Sequence, residues 1–162
     1  MLTYDILHSN QHGFLKNKNT ITAIFEFIEK ILKGIDEHKS VLALFVDLSK
    51  AFDCVDHKLL LHKLDLLGIR GIFLNLIASY LKNRKQTVGL NTEKGYYQSS
   101  FLENNIGIPQ GSILGPLFFI LYSNDLIIID NNTFLIKYAD DTSMIIKIFM
   151  FWLLKEMNLF MN

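Results

Sequence analysis

Cysteine, proline and tryptophan are scarce in this chain of 162 residues, and neither sign of charge predominates. The one cysteine, Cys54, excludes an intrachain disulfide and fits a reducing, intracellular setting. With 16 basic and 16 acidic residues the formal charge is zero, so the global basic field common among nucleic-acid binders is missing. Long apolar runs are lacking too. Residues 113–129 are broken by Asn124-Asp125, and residues 144–154 are short and hold Lys147. Neither reaches the roughly 18 uninterrupted apolar residues of a bilayer span, so both read as core and no membrane partner is expected. No charged start leads into an apolar core, so no secretory signal is expected. Internal repeats, low-complexity tracts, flexible linkers and a phosphate-cradling Walker loop are also missing from the sequence. His57 and His62 lie five apart, about 140° around a helix, which argues against a shared zinc site. No Ser-His-Asp arrangement stands out.

What the chain does have is apolar residues, 50% of the total. At this length that means one domain or part of one, with either a dense interior or apolar surface that neighbours would cover. Ile21, Ile24, Phe25, Ile28, Ile31, Leu32 and Ile35 recur at helical spacing after a capping Asn19 or Thr20. Residues 41–46 predict a buried strand ending at Asp47. Asp56 caps a predicted helix over 57–67 that stops at Gly68, and a second helix covers 72–81. The basic connector Lys82-Asn83-Arg84-Lys85 leads into a predicted hairpin with strands near 86–90 and 97–102. Residues 106–116, with three glycines and both prolines, form a loop suited to unusual backbone angles. Pro116 opens a helix running to about Asp125. A final amphipathic segment passes through Trp152 and Leu159. The order predicts an α+β fold, a sheet layered with helices.

The chain is organised around Tyr138-Ala139-Asp140-Asp141, between the apolar runs 134–136 and 144–146. Two strands joined by so short a connection make a hairpin. Adjacent carboxylates repel unless a cation sits between them, and a hard divalent ion such as Mg²⁺ would relieve that repulsion. A solvated Asp-Asp turn is the plainer alternative. Asp47, just past a strand, stands where such folds place ligand-binding groups, although taken alone a helix or turn cap is the plainer reading. Asp53 and Asp56 read as caps or solvated acids, and Phe52 as core or as a pocket wall. In Gly107-Ile108-Pro109-Gln110-Gly111, backbone can approach a ligand closely and Gln110 can hydrogen-bond a base or sugar; a loop leading into a helix, with no ligand, is the alternative. Gln11-His12-Gly13-Phe14 with Lys16 and Lys18 is either a phosphate-holding loop or a solvated basic one.

Taken in order, these motifs resemble the reverse transcriptases of non-LTR (LINE-like, jockey-like) retrotransposons. The stretches concerned are Asp47 to Asp56, Gly68-Ile69-Arg70-Gly71, Ser79 to Gln86, the loop from Gly107 on to Leu126, and Tyr138 to Thr142, within residues 9–145. The resemblance implies an RNA-directed DNA polymerase that adds dNTPs to a primer 3′-hydroxyl on an RNA template. It implies two Mg²⁺ ions (Mn²⁺ as a substitute) held by the catalytic Asp47, Asp140 and Asp141, with the backbone carbonyl of Leu48 assisting. Phe52 would be the gate against a ribose 2′-hydroxyl, and Gln110, Gly111, Lys16 and Lys18 would meet the nucleotide. Leu15 stands where the family often has Arg. Arg84, Lys85 and Tyr138 would touch nucleic acid. The implied architecture is one truncated domain over 1–162. In it 1–40 would be partial fingers, 41–148 a palm with a fingers insertion at about 68–105, and 149–162 a residual C-terminal helix, the thumb being absent. An intracellular setting is implied, in the nucleus or a cytoplasmic ribonucleoprotein. An inactive retrotransposon remnant that folds and binds nucleic acid weakly is the alternative. A phosphoacceptor domain would leave the 107–116 loop without a role.

Overall fold

The computed structural model describes residues 6–128 and 130–149. Two units are distinguished, one built from the chain up to Ser49 and from Ser123 onward, the other from Lys50–Tyr122. The predicted C-terminal helix over 149–162 lies outside the described residues, apart from Phe149, which ends a strand.

In the first unit, helix α1 (Thr20–Asp36) opens with a reciprocal cap: Thr22 N donates to Asn19 Oδ1 at 3.0 Å and Asn19 N donates to Thr22 Oγ1 at 3.0 Å. Two of the otherwise unsatisfied amides at the helix start are thereby engaged. Strand β1 (Lys39–Val46) follows after a short turn. A hairpin of β6 (Thr133–Tyr138) and β7 (Asp141–Phe149) completes an antiparallel sheet of order β1-β7-β6. Residues on β1 and β7 pair from Lys39↔Phe149 to Val46↔Thr142.

Ala23, Ile136 and Ile145 are the buried centre of this unit, with Phe27, Ile31, Val41, Phe134 and Tyr138 packed around them. The face of α1 that meets the sheet is therefore Ala23, Phe27, Ile31 and Gly34, at helical spacing. Small Gly34 permits close approach, since a Cβ there would sit 2.5 Å from Val41 Cγ2. Most of the expected apolar stripe looks outward instead: Ile21, Phe25, Leu32 and Ile35 are exposed.

Strand β1 also corrects its expectation of burial. It is an edge strand, and on the face away from α1 cover falls off from buried Leu135 on β6 to exposed Leu44 on β1. Phe45, on the α1 face, touches Phe27 at 5.4 Å between ring centroids yet remains largely exposed.

The second unit carries α2 (His57–Leu66) and α3 (Ile72–Leu81), both as read from the sequence, α2 capped by Asp56 Oδ1 accepting from Leu59 N at 2.7 Å. The expected hairpin forms, but as two ladders: β2 (Arg84–Gln86) with β5 (Leu102–Asn104), and β3 (Gly89–Thr92) with β4 (Gly95–Gln98). Between them Thr87 Oγ1 donates to Ser99 O at 2.8 Å and Ser99 Oγ accepts from Val88 N at 2.9 Å. Hydroxyls take bonds that a continuous ladder would make, and the strand breaks there. Helix α4 (Leu114–Tyr122) starts two residues before Pro116 and ends earlier than expected. Ser112 Oγ accepts from Gly115 N at 2.9 Å at its start, and Lys63 Nζ donates to Tyr122 O at 2.6 Å at its end. Val55, Leu60, Leu64, Leu81, Phe118 and Phe119 are buried in this unit.

Where α1 passes into β1, Glu37 accepts from Lys39 at 2.8 Å and from Lys147, a buried lysine of β7, at 3.4 Å. Hydrogen bonding by Lys39 is the largest effect and lowers the Glu37 pKa; desolvation opposes it, and the hydrogen bond and charge of Lys147 add to the lowering. A carboxyl with a depressed folded-state pKa stabilises the fold above its unfolded pKa and loses that contribution as pH falls through the folded value. Thermal unfolding is therefore expected to show that Glu37→Gln lowers Tm at pH 7, and that the gap from wild type shrinks as pH drops below 4.5, the ordinary glutamate value. A constant gap down to pH 3 would remove the ion pair as its cause.

Candidate active site

The β6–β7 connection is two residues, Ala139 and Asp140, between the paired Tyr138 and Asp141. Ala139 has φ +59°, and Asp140 is not in the left-handed region. Positive φ at the first central position alone is the pattern of a type II′ turn, which usually places glycine there. For alanine that backbone costs about 1–2 kcal/mol, so the surroundings must impose it.

The sheet register carries the acids toward one end. Val46↔Thr142 is the last β1–β7 pair, so Asp47 and Asp141 are the next facing positions. Asp141 is also the first residue of β7 and closes the hairpin opposite Tyr138. Asp47 and Asp141 are exposed and Asp140 is half-buried, so all three are open to solvent to some degree. Among the described residues no group of three His, Cys, Asp or Glu side chains is already gathered as a metal cage. The donor set is nevertheless all hard oxygen, and Mg²⁺ typically takes only one or two carboxylates, completing its shell with water and phosphate. Chemically the residues fit such an ion. Beside them a mostly apolar cavity of about 400 Å³ opens between α1 and the sheet, walled by Phe27, Phe45 and Tyr138, with Asp141 and Ser143 among its few polar residues.

An additional element reaches the turn from the start of the chain. His12 N donates to Lys137 O at 2.8 Å and Lys137 N donates to Asn10 O at 2.8 Å, so residues 10–12 run parallel to β6 along its outer edge. His12 is buried, its Nδ1 bonded to Thr22 Oγ1 and its Nε2 to Glu26 Oε2, each at 2.9 Å, which ties the segment to α1. Lys18 Nζ donates to the carbonyls of Ser9 and Gln11. Its ammonium is thus engaged within this loop, whereas Lys16 is exposed.

In the second unit, Phe52 stacks on Phe119 with centroids 4.6 Å apart, and Gln110 Nε2 donates to Asp53 Oδ1 at 3.0 Å. Gly111 is exposed with φ +77°. The loop is anchored by Gly107 N donating to Val55 O at 2.7 Å, Ile108 N to Phe52 O at 2.9 Å, and His57 Nε2 bonded to Gly107 O at 2.7 Å. Arg84 is half-buried, with Nη1 lacking a hydrogen bond, and Lys85 faces Glu103 across the β2–β5 ladder at 4.0 Å. Gly107 has φ +79°, and a Cβ there would lie 2.7 Å from Asp53 O. Gly107→Ala is accordingly expected to destabilise the fold by about 1–3 kcal/mol in denaturant titration. An unchanged midpoint would show that this loop relaxes freely.

An antiparallel sheet backed by α1, with an acidic hairpin at one end, and a second unit rich in helices make this an α+β chain with the acidic strand-end hairpin of a nucleotidyl-transfer enzyme. Residues 1–148 match the family described as Reverse transcriptase (RNA-dependent DNA polymerase), and the chain belongs to that family. It is 31% identical over 142 residues to a probable RNA-directed DNA polymerase from transposon X-element of Drosophila melanogaster, a match covering 84% of this chain and 15% of that protein. It is 27% identical over 144 residues to the RNA-directed DNA polymerase from mobile element jockey of the same fly, covering 85% of this chain and 15% of the relative. The chain thus spans under a sixth of the length of these relatives. Among solved structures, telomerase from Candida albicans in complex with a telomeric RNA fragment shares the fold, with a TM-score of 0.57 at 12% identity over 89% of this chain and 28% of that one. Among the described residues no helix is long and apolar enough to cross a membrane.

Proposed function

We propose that this chain carries the nucleotidyl-transfer centre of an RNA-directed DNA polymerase, extending a DNA primer with dNTPs on an RNA template. The observation that supports this most is the β1–β7 register, which makes Asp47 and Asp141 facing positions beside the Asp140 turn in a chain of this family. Asp47, Asp140 and Asp141 would hold two Mg²⁺ ions, with Leu48 O as a further oxygen donor. When bound, such a pair stabilises charge on the attacking and leaving oxygens of an in-line displacement. The protein's own part is to hold carboxylate oxygens at the end of a paired sheet, with Asp141 closing the β6–β7 ladder and Asp47 one residue beyond the last β1–β7 pair. Phe52 would limit the sugar, Gln110 and Gly111 would lie along the nucleotide, and Lys16 and Lys18 would contribute cationic charge. Arg84, Lys85 and Tyr138 would contact template or primer. In this reading the residues around β1, β6 and β7 are palm, and parts of 1–40 and 68–105 are fingers.

Primer extension on an RNA template with Mg²⁺ or Mn²⁺ is the direct test. Asp47→Asn, Asp140→Asn and Asp141→Asn are each expected to cut extension at least ~100-fold, as expected when interactions made mainly in the transition state are lost. No extension by a well-folded wild-type chain would favour the non-polymerising, weakly nucleic-acid-binding reading. Phe52→Val is expected to admit ribonucleotides more readily; unchanged sugar selectivity in competition assays would remove Phe52 as the gate.

A further inference from the structure

We propose that Gln11 is a positioning residue that clamps the Ala139–Asp140 turn and so sets where the twin aspartates stand. Gln11 is 1% exposed, and a buried primary amide needs partners for its polar atoms. Gln11 Oε1 accepts from Ala139 N at 3.2 Å and from Gly13 N at 2.8 Å, while Nε2 reaches Ala139 O at 3.5 Å. One side chain thus addresses both backbone polar groups of the residue that carries the turn's positive φ. The partners are 128 positions apart in sequence, so the clamp is tertiary rather than part of the hairpin itself.

Three further contacts keep the clamp in place. The backbone of Asn10 and His12 is bonded to Lys137, two residues before Ala139. The His12 ring is fixed to Thr22 and Glu26 of α1. Gly13 leaves room for the approach, because a Cβ there would collide with Ala139 N and come within 2.9 Å of its Cα. The amide of Gln11 therefore acts like a short extra strand partner at a place where the turn has left the ladder. Freed from it, Ala139 would relax toward negative φ and swing the Asp140 side chain with it, since a change at one backbone dihedral re-aims the next residue.

The link to metal rests on the polymerase reading, so the test has one arm that does not depend on it. Amide hydrogen exchange of the full chain, followed by NMR, is expected to quicken at Ala139 by about tenfold or more in Gln11→Met while Ile145, central in β7, keeps its rate. Gln11→Glu retains the acceptor oxygen and is expected to hold Ala139 within about threefold of wild type. Mn²⁺ alone, followed by its paramagnetic resonance spectrum, is expected to bind Gln11→Met about tenfold more weakly than wild type. Unchanged exchange at Ala139, or equal acceleration at Ala139 and Ile145, overturns the clamp. Should Gln11→Met fail to fold, loss of Ala139 protection in Gln11→Glu overturns it instead. A loosened turn with unaltered Mn²⁺ affinity overturns the positioning role. A wild-type chain that takes up no Mn²⁺ fails the metal reading, and the exchange arm still decides the clamp.

Discussion

Eight residues of β1 lie in antiparallel register with β7, and the acids take their places from that pairing. Because side chains alternate along a strand, a slip of β1 by one residue would turn Asp47 to the opposite face from Asp141 and would at the same time turn Val41 away from the core it packs against. The core under α1 thus fixes the register, and the register fixes the acids. Burial of Ile145 and Ile136 against Ala23 and Phe27 is not merely structural support here; it is what makes one arrangement of carboxylates cheaper than its neighbours by the cost of exposing a core side chain, roughly 1.5–3 kcal/mol for each large apolar residue.

The end of the sheet adds a second constraint of another kind. Strand pairing can align Asp47 with Asp141, but Asp140 sits in a turn, beyond the reach of the ladder. Its direction depends on Ala139, whose backbone is unfavourable for an alanine. Bonds from Gln11 come from outside the hairpin and oppose relaxation, and the missing side chain of Gly13 lets that segment come close enough to make them. Regular pairing positions one part of the site and a buried polar contact from the distant N-terminal segment positions the other. Such division explains why the segment 10–12 lies along β6 in place of solvent.

Much of this was readable from local sequence. Asn19 and Asp56 cap helices because their side chains reach the amide three residues ahead, and α3 follows from an apolar run between Gly71 and Lys82. The Ala139–Asp140 turn was readable from two apolar runs with a minimal connection. What was not readable depends on partners distant in the chain. The exposure of Leu44 follows from β1 being an edge strand, and nothing within residues 39–46 says which strand will be an edge. The role of Gln11 needed a partner at Ala139, so a motif that looked like a phosphate loop gave no hint of it. That Lys18 bonds the carbonyls of Ser9 and Gln11 likewise depends on how the loop folds back on itself, which its composition does not tell.

The apolar half of the composition had two explanations, a dense interior or an uncovered surface. The second accounts for much of it: Ile21 and Phe25 on α1, and Ile72 and Phe73 on α3, are each more than two-thirds exposed. The apolar arc of α1 is wider than the sector that meets the sheet, so the asymmetry against the polar side with Glu26, Glu29, Lys30 and Lys33 does not by itself tell which apolar sector is core. On α1 the decision falls to size rather than hydrophobicity, because Ala23 and Gly34 let the backbone approach the sheet where larger residues would hold it away. The packed face of α1 thus alternates small Ala23 and Gly34 with Phe27 and Ile31, while Ile21, Ile24, Ile28 and Ile35 face outward. Helical periodicity located this element correctly, but of its stripe only Ile31 packs on the sheet, since apolar spacing records where a helix is able to pack and the steric limits of its neighbour choose the sector that does.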